Sequence, residues 1–149
     1  MSIEGFTKLE ALFRKAASLD IKKGHAKEII EIAEEKLRDL LLAAERSANM
    51  NGRDIIWESD LPITNGLQET MIALKKINKE IGIHEYLISI TPIPPLKYPL
   101  IVDLKEKLHV IMGALLVVIA KIIKEVDGND RAVDHESIDR TKRIMDLTL

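Results

Sequence analysis

Apolar residues recur at helical spacing along most of the chain, and the recurrence is longest in two segments, residues 24–51 and 100–126. In both, the intervals of three and four residues place the apolar side chains on one face of an α-helix. The positions in the first segment are Ile29, Ala33, Leu37, Leu40, Ala44 and Ala48. Those in the second are Ile101, Leu104, Leu108, Ile111, Leu115, Ile119, Ile122 and Val126. Each predicted helix is about 40 Å long, roughly the diameter of a compact domain of this size, so each is expected to cross the whole molecule.

A shorter predicted helix flanks each long one on both sides. Residues 6–17 precede the first long helix, and a helix that begins near Ser59 or Asp60 follows it, with Pro62 in its first turn and a break or kink at Gly66. Residues 83–90 and 134–147 flank the second long helix in the same order, and Ile138, Ile144 and Leu147 of the last helix are expected to face inward. This repeated order predicts an all-α fold in one domain, residues 1–149, with halves 1–82 and 83–149.

Composition places the chain among folded proteins without disulfides. Apolar residues make up 46% and charged residues 31%, and there is no cysteine to form a disulfide, a thiolate metal site or a nucleophile. The first residues lack the pattern of a signal peptide, and the longest apolar run, residues 110–120, is shorter than the roughly 20 residues of a membrane-spanning helix. We therefore expect a cytoplasmic protein that is not inserted in a membrane.

The sequence contains no pattern typical of catalysis or of cofactor binding. No serine lies in a Gly-x-Ser-x-Gly motif, and the seven glycines are too scattered to form a phosphate-binding loop. Glu106 and His109 share a helix face, as in di-iron helix bundles, but the second Glu-x-x-His motif that such a site requires is absent. We expect no catalytic residue, no cofactor and no metal.

The order of short, long and short helices is that of the histone fold, and residues 51–61 are similar to the histone loop that follows the long helix. Histones have a Gly-Arg pair there and an Asp seven residues after the Arg, which Gly52, Arg53 and Asp60 match. Over its full length the chain resembles a family of uncharacterised bacterial proteins with two tandem histone folds, related to archaeal histones. Further matching segments are residues 60–63, 66–70, 94–95 and 112–115.

That resemblance implies a particular fold and one internal contact. The two tandem histone folds would form an intramolecular pseudo-dimer in which the long helices cross. Arg53 and Asp60 would form an internal salt bridge. In the second half Arg131 can match Arg53, but Ile138 stands where the acidic partner would be, so the second salt bridge is missing.

The positions that hold DNA in archaeal histones are not retained. Asp20, Asp54 and Ile55 stand where those proteins have an Arg in the first loop and a Lys-Thr pair in the second, and Ala11 replaces the Arg of the first helix. The net charge is −2, and neither half is basic, with 13 Lys and Arg against 14 Asp and Glu in residues 1–82 and 9 against 10 in residues 83–149. Proteins that wrap nucleic acid usually carry a clear positive excess.

Two non-enzymatic functions therefore remain open. The first is a histone-like protein that binds double-stranded DNA weakly, or in a restricted geometry, through its paired loops. Loop ends and helix N-termini are common phosphate contacts. The candidate contacts are Arg14, Lys15, Lys22, Lys23 and Arg53.

The second function is a protein–protein interaction module, for heterodimerisation or assembly, that does not bind DNA. An exposed Trp57 would mark such an interface. The basic cluster of Arg140, Lys142 and Arg143 is expected to be ordinary surface charge, because Asp139 and Asp146 lie among them. A continuous positive stripe along the paired loops would favour DNA, and a neutral surface with an apolar patch would favour protein. A fused pseudo-dimer can fold as a monomer, and a higher oligomer is also compatible with it.

Overall fold

The computed structural model describes residues 2–128 and 132–148, and in these two stretches the chain is helical, with two isolated β-bridges and no strand. A single 3₁₀ turn, Glu58–Asp60, also lies there. The helices are α1 (Ile3–Ala17), α2 (Lys23–Met50), α3 (Asn65–Ile81), α4 (His84–Ile90), α5 (Val102–Asp127) and α6 (His135–Thr148). The predicted all-α class and the two long helices are confirmed.

The first helix is longer than its apolar pattern predicted because a cap fixes its start. α1 begins at Ile3 rather than at residue 6, and the Ser2 hydroxyl accepts a hydrogen bond from the amide of Gly5 at 3.0 Å. This bond satisfies one of the amides that a helix N-terminus leaves unpaired. The helix ends at Ser18, which adopts the left-handed conformation as its C-cap.

The prediction that a helix starts near Ser59 or Asp60 is wrong. Asp60 ends a short 3₁₀ turn, and its carboxylate is held by other groups, described below, instead of capping a helix. Pro62 therefore lies in the connector between the 3₁₀ turn and α3 and not in a first helical turn.

The third helix begins at Asn65, with Thr64 as its cap. The Thr64 hydroxyl accepts a hydrogen bond from the amide of Leu67 at 3.2 Å. Gly66 is the second residue of this helix and does not interrupt it. At the other end Gly82 adopts a positive φ of 62°, a conformation that glycine tolerates without strain, and terminates the helix.

α5 is the centre of the hydrophobic core. It contacts α1, α2, α3, α4 and α6, and residues 111–117 are all buried. A helix that is apolar on every side must be covered on every side, which five neighbouring helices accomplish here. In the described part of the chain, no helix is both long enough and apolar enough to cross a bilayer.

The two long helices are joined to each other at both ends through their loops. Asp20, which precedes α2, forms a parallel bridge with Ala132, which follows α5. Ile56, which follows α2, forms the corresponding bridge with Leu100, which precedes α5. Because the start of each long helix is linked to the end of the other, α2 and α5 run in opposite directions along their shared contact.

Backbone hydrogen bonds hold these loop pairs. The amide of Ile56 donates to the carbonyl of Pro99, and the amide of Ile101 donates to the carbonyl of Ile56, both at 2.9 Å. In the other pair the amide of Val133 donates to the carbonyl of Asp20 at 3.1 Å. Both connections tie residues of the first half to residues of the second.

Candidate interaction surfaces

The Arg53 side chain is held inside the loop that follows α2. Its Nη1 and Nη2 atoms each donate to a carboxylate oxygen of Asp60 at 2.7 Å, and Nη1 also donates to the carbonyl of Ile55 at 3.1 Å. The salt bridge that the resemblance implied is thus present. Because Asp60 neutralises the guanidinium and occupies both of its terminal nitrogens, Arg53 is a poor phosphate contact, contrary to its place among the candidate DNA contacts.

Trp57 covers the same guanidinium. The Arg53 Cζ atom lies 3.7 Å from the centroid of the Trp57 ring, a cation–π contact, and the Trp57 residue as a whole is 43% exposed. Trp57 therefore stabilises the Arg53 side chain and is also partly exposed at the surface.

Asp60 is the buried centre of this loop. It also accepts hydrogen bonds from the Ser47 hydroxyl at 2.9 Å and from the Trp57 amide at 2.8 Å, and its side chain is only 2% exposed. The hydrogen bonds from Arg53 hold the pKa of Asp60 well below its usual range, and these other two donors lower it further against the effect of burial. The hydrogen bonds around Asp60 therefore hold the loop after α2 in one conformation.

Two more of the candidate DNA contacts are paired with carboxylates. The Nε atom of Arg14 donates to Asp20 at 3.0 Å, and its Nη2 atom lies 3.6 Å from Glu10. Lys15 forms an ion pair with Glu80 across the contact between α1 and α3. A phosphate that approached either cation would also meet its carboxylate partner.

Lys22 and Lys23 are the remaining candidates, and both are exposed at the start of α2. Lys22 is the residue before the first helical turn, and Lys23 is the first helical residue. No ion pair within residues 2–128 and 132–148 involves either of them. Arg131, which the resemblance matches with Arg53, lies outside the described residues.

In the cationic cluster of α6, Lys142 is paired with carboxylates, whereas Arg140 and Arg143 form no ion pair within the described residues. Lys142 lies 3.2 Å from Asp146 and 3.6 Å from Glu35 of α2. Asp146 also pairs with Lys36, a lysine of α2 whose side chain is only 3% exposed. The charges of α6 thus attach this helix to α2.

Glu106 and His109 are not part of a metal-binding cluster in the part of the chain that the structure describes. No three His, Asp or Glu side chains converge there in a way that could hold a metal ion. The His109 ring, one turn after Glu106, packs edge-on against His84 with 4.7 Å between centroids. Burial and the neighbouring His84 lower the pKa of His109.

The sequence analysis missed an apolar groove between the start of α3, the C-terminal half of α5 and the end of α6. Its volume is about 600 Å³. Apolar side chains of α5 line it, among them Leu115, Val118 and Ile122, together with Leu67 of α3 and Ile144 of α6.

The prediction that Leu147 faces inward is wrong, and the error bears on this groove. Leu147 is 87% exposed, and Ile144 is 36% exposed, whereas Ile138 and Met145 are buried. At about 100° per residue, Leu147 lies opposite Ile138 on the helix, so the two cannot share a buried face. The periodicity around Ile138 was the signal that could have revealed this.

The threonine hydroxyls of the groove form hydrogen bonds with nearby backbone groups. The Thr64 hydroxyl caps α3, the Thr70 hydroxyl donates to the carbonyl of Gly66 at 2.8 Å, and the Thr148 hydroxyl donates to the carbonyl of Ile144 at 3.3 Å. Two charged residues of α5, Lys121 and Glu125, also line it, and both are exposed. The groove therefore has an apolar lining with one charge of each sign.

These features describe an all-helical protein with an internal Arg53–Asp60 salt bridge and an apolar groove between three of its helices. Residues 9–146 match the model of a family described as "Domain of unknown function (DUF1931)", and the chain belongs to that family.

Relatives and solved structures agree with this assignment. Two proteins of Aquifex aeolicus (strain VF5), both called "Uncharacterized protein", are 33% and 31% identical to the chain, with alignments that cover 96% and 92% of it and 83% and 87% of the relatives. A crystal structure from Thermus thermophilus matches with a TM-score of 0.85 at 37% identity, over 96% of this chain and 97% of that one. A crystal structure from Aquifex aeolicus matches with a TM-score of 0.84 at 32% identity, over 97% and 95%.

Proposed function

We propose that the chain consists of two histone folds fused in tandem and that it is a non-enzymatic assembly module, which binds another protein chain through the groove between α3, α5 and α6. The two loop-to-loop bridges support the first part of the proposal. Each joins the loop before one long helix to the loop after the other, which is the pairing expected of a histone-like pseudo-dimer whose long helices cross.

The groove carries the second part of the proposal. An exposed concave apolar surface is typical of a site that another molecule covers. Because the three threonine hydroxyls of the groove are bonded to nearby backbone, they are poorly placed to orient a small polar ligand. Apolar side chains projecting from a helix fit such a surface, as in other helix-in-groove contacts.

The distribution of cations favours protein over DNA as the partner. Arg14, Lys15 and Arg53 are paired with carboxylates, which offsets the positive charge of three of the five candidate DNA contacts.

Capture experiments test this proposal. The tagged full chain, its Gly66→Leu variant and a Lys105→Glu control are each used to isolate partner proteins. Gly66 lines the groove, whereas Lys105 lies on α5 outside it. We expect specific capture by the wild type and the control, and its loss with Gly66→Leu. Equal capture by all three chains would contradict the proposal.

A specific observation also favours a second candidate function, weak DNA binding at Lys22 and Lys23. These two exposed lysines have no carboxylate partner in the described part of the chain, and they stand at a helix N-terminus, where backbone amides add positive potential.

Salt dependence separates the two functions. Contact through only two lysines predicts a roughly tenfold loss of DNA affinity between about 50 and about 200 mM salt, far less than the loss for a protein with many phosphate contacts. The paired change of Lys22→Glu and Lys23→Glu should abolish this binding, and Gly66→Leu should leave it unchanged. DNA affinity that the lysine changes leave intact would rule out this site.

A further inference from the structure

We infer that the partner in the groove is a second copy of this chain, so that two copies associate around a two-fold axis through α5 and α6. This inference rests on the proposed function, because it names the partner of the same groove. Two properties of the groove support it: the apolar side chain beside it, and the charges that line it.

The apolar side chain is Leu147. It is 87% exposed and lies on α6 between Ile144 and Thr148, both of which line the groove. Each copy therefore has a cavity and a projecting apolar side chain on adjacent parts of one surface. A two-fold contact requires a patch that is complementary to itself, and a cavity beside a projection meets that requirement, because each copy can insert Leu147 into the other.

The charges of the groove have the same self-complementary arrangement. Lys121 and Glu125 lie one turn apart on α5, about 6 Å along the helix axis, and neither belongs to an ion pair within the described residues. In a two-fold contact with antiparallel α5 helices, Lys121 of each copy faces Glu125 of the other. A partner with a uniformly basic or acidic surface would instead meet one repulsive charge, so the complementarity favours a second copy.

Gly66 provides a way to fill the groove without disturbing the fold. A Cβ atom added at this position would meet no other atom within 4 Å, and the residue lies in a helix, where a side chain is tolerated. Gly66→Leu should occupy the groove, whereas Gly66→Ala should leave most of it open. Circular dichroism and thermal unfolding of each variant report whether it is folded.

Sedimentation equilibrium of the full chain, from low micromolar to several hundred micromolar protein, measures the association. We expect a monomer–dimer equilibrium for the wild type. Gly66→Leu should weaken it at least tenfold, Gly66→Ala should weaken it less, and Leu147→Ala should also weaken it. A wild-type chain that remains monomeric over this range would overturn the inference, and so would a dimer that Gly66→Leu leaves unchanged.

A charge exchange tests the two-fold geometry separately. Lys121→Glu should weaken the dimer because it places acidic side chains opposite each other, and the exchange of both charges, Lys121→Glu with Glu125→Lys, should restore it. Lys105→Glu is the control, since it makes the same change of net charge on α5 outside the groove. Failure of the exchange to recover affinity would contradict the proposed pairing.

The results also separate this inference from the proposed function. A monomeric chain that still captures a different protein, and loses it with Gly66→Leu, contradicts the second copy as the partner but retains the assembly role. A chain that neither dimerises nor loses any partner with Gly66→Leu contradicts both.

Discussion

A side chain at position 113 would collide with Leu74: a Cβ atom built on Gly113 lies 2.6 Å from the Cδ2 atom of Leu74 and 2.7 Å from the Cδ1 atom of Leu87. Gly113 is in the middle of α5, and the two leucines belong to α3 and α4. Glycine is unfavourable inside a helix, so its presence here indicates that close packing of α3 and α4 against α5 outweighs the loss of helix propensity.

We expect Gly113→Ala to destabilise the protein by about 1 kcal/mol. The alanine gains about 1 kcal/mol in helix propensity, but overpacking a buried site typically costs about 1–3 kcal/mol. Gly66→Ala is the matched control, because its added Cβ meets open space, and it should be neutral or stabilising by up to about 1 kcal/mol. Urea unfolding measures both, and a higher midpoint for Gly113→Ala would contradict the packing argument.

Asp60→Asn should destabilise the loop after α2 by about 3 kcal/mol, because it leaves the Arg53 charge without its carboxylate partner. The pKa of Asp60 is lowered in the folded state, so the stability it contributes is present above its ordinary value of about 4 and is lost as the pH falls through the lower folded value. Unfolding measured across the acid range should therefore depend less on pH in the variant.

Asp54→Asn is the control for this prediction. Asp54 lies in the same loop, is exposed, and belongs to no ion pair among the described residues. Its neutralisation should change the free energy of unfolding by no more than about 0.5 kcal/mol. Equal effects of the two changes would show that the Arg53–Asp60 pair contributes nothing specific.

Removing one acidic partner of the buried Lys36 should be more costly than removing the Lys36 charge itself. Its side chain is 3% exposed and pairs with Asp146 of α6 and Asp39 of α2. Replacing a buried ion with an apolar side chain of similar volume is often neutral, so Lys36→Met should remain within about 1 kcal/mol of the wild type. Asp146→Asn should lower the urea midpoint more.

A double variant distinguishes this interaction from general damage to α6. In the Lys36→Met background, Asp146→Asn should have little further effect, since the buried charge is already gone. Amide hydrogen exchange in α6 should be faster in Asp146→Asn than in Lys36→Met, because Asp146 links this helix to α2. Additive effects of the two changes would contradict the coupling.

The long helices could be predicted because their apolar positions repeat over many turns, a signal that tertiary contacts reinforce. The start of α3 could not, because its predicted cap, Asp60, is occupied by Arg53 and Ser47. That competition arises only after the loop has folded. Thr64, which was not among the predicted caps, caps the helix instead.

The surfaces were harder to predict than the helices for a similar reason. Lys15 has an acidic partner, Glu80, that is distant in the sequence, so its neutralisation depends on how α1 meets α3. The groove depends on how far apart three helices pack, and the spacing of apolar residues within each helix does not determine that distance. The error at Leu147 was avoidable, because Ile138 and Met145 already define the buried face of α6.

His109 should make the protein less stable as the pH falls below about 6.5, the ordinary pKa of histidine. Burial, followed by the nearby His84, lowers the pKa of His109 in the folded state, so between that value and the ordinary one the unfolded chain binds more protons than the folded chain. Stability therefore rises with pH across this window. The charged residues that line the cavities next to His109 are Lys75 of α3 and Lys105 and Glu106 of α5, and none of them is altered in these variants. His109→Gln should flatten urea unfolding free energies measured from about pH 7 to about pH 5, and His84→Gln should flatten them partly. A His109→Gln variant with the wild-type slope would contradict this account.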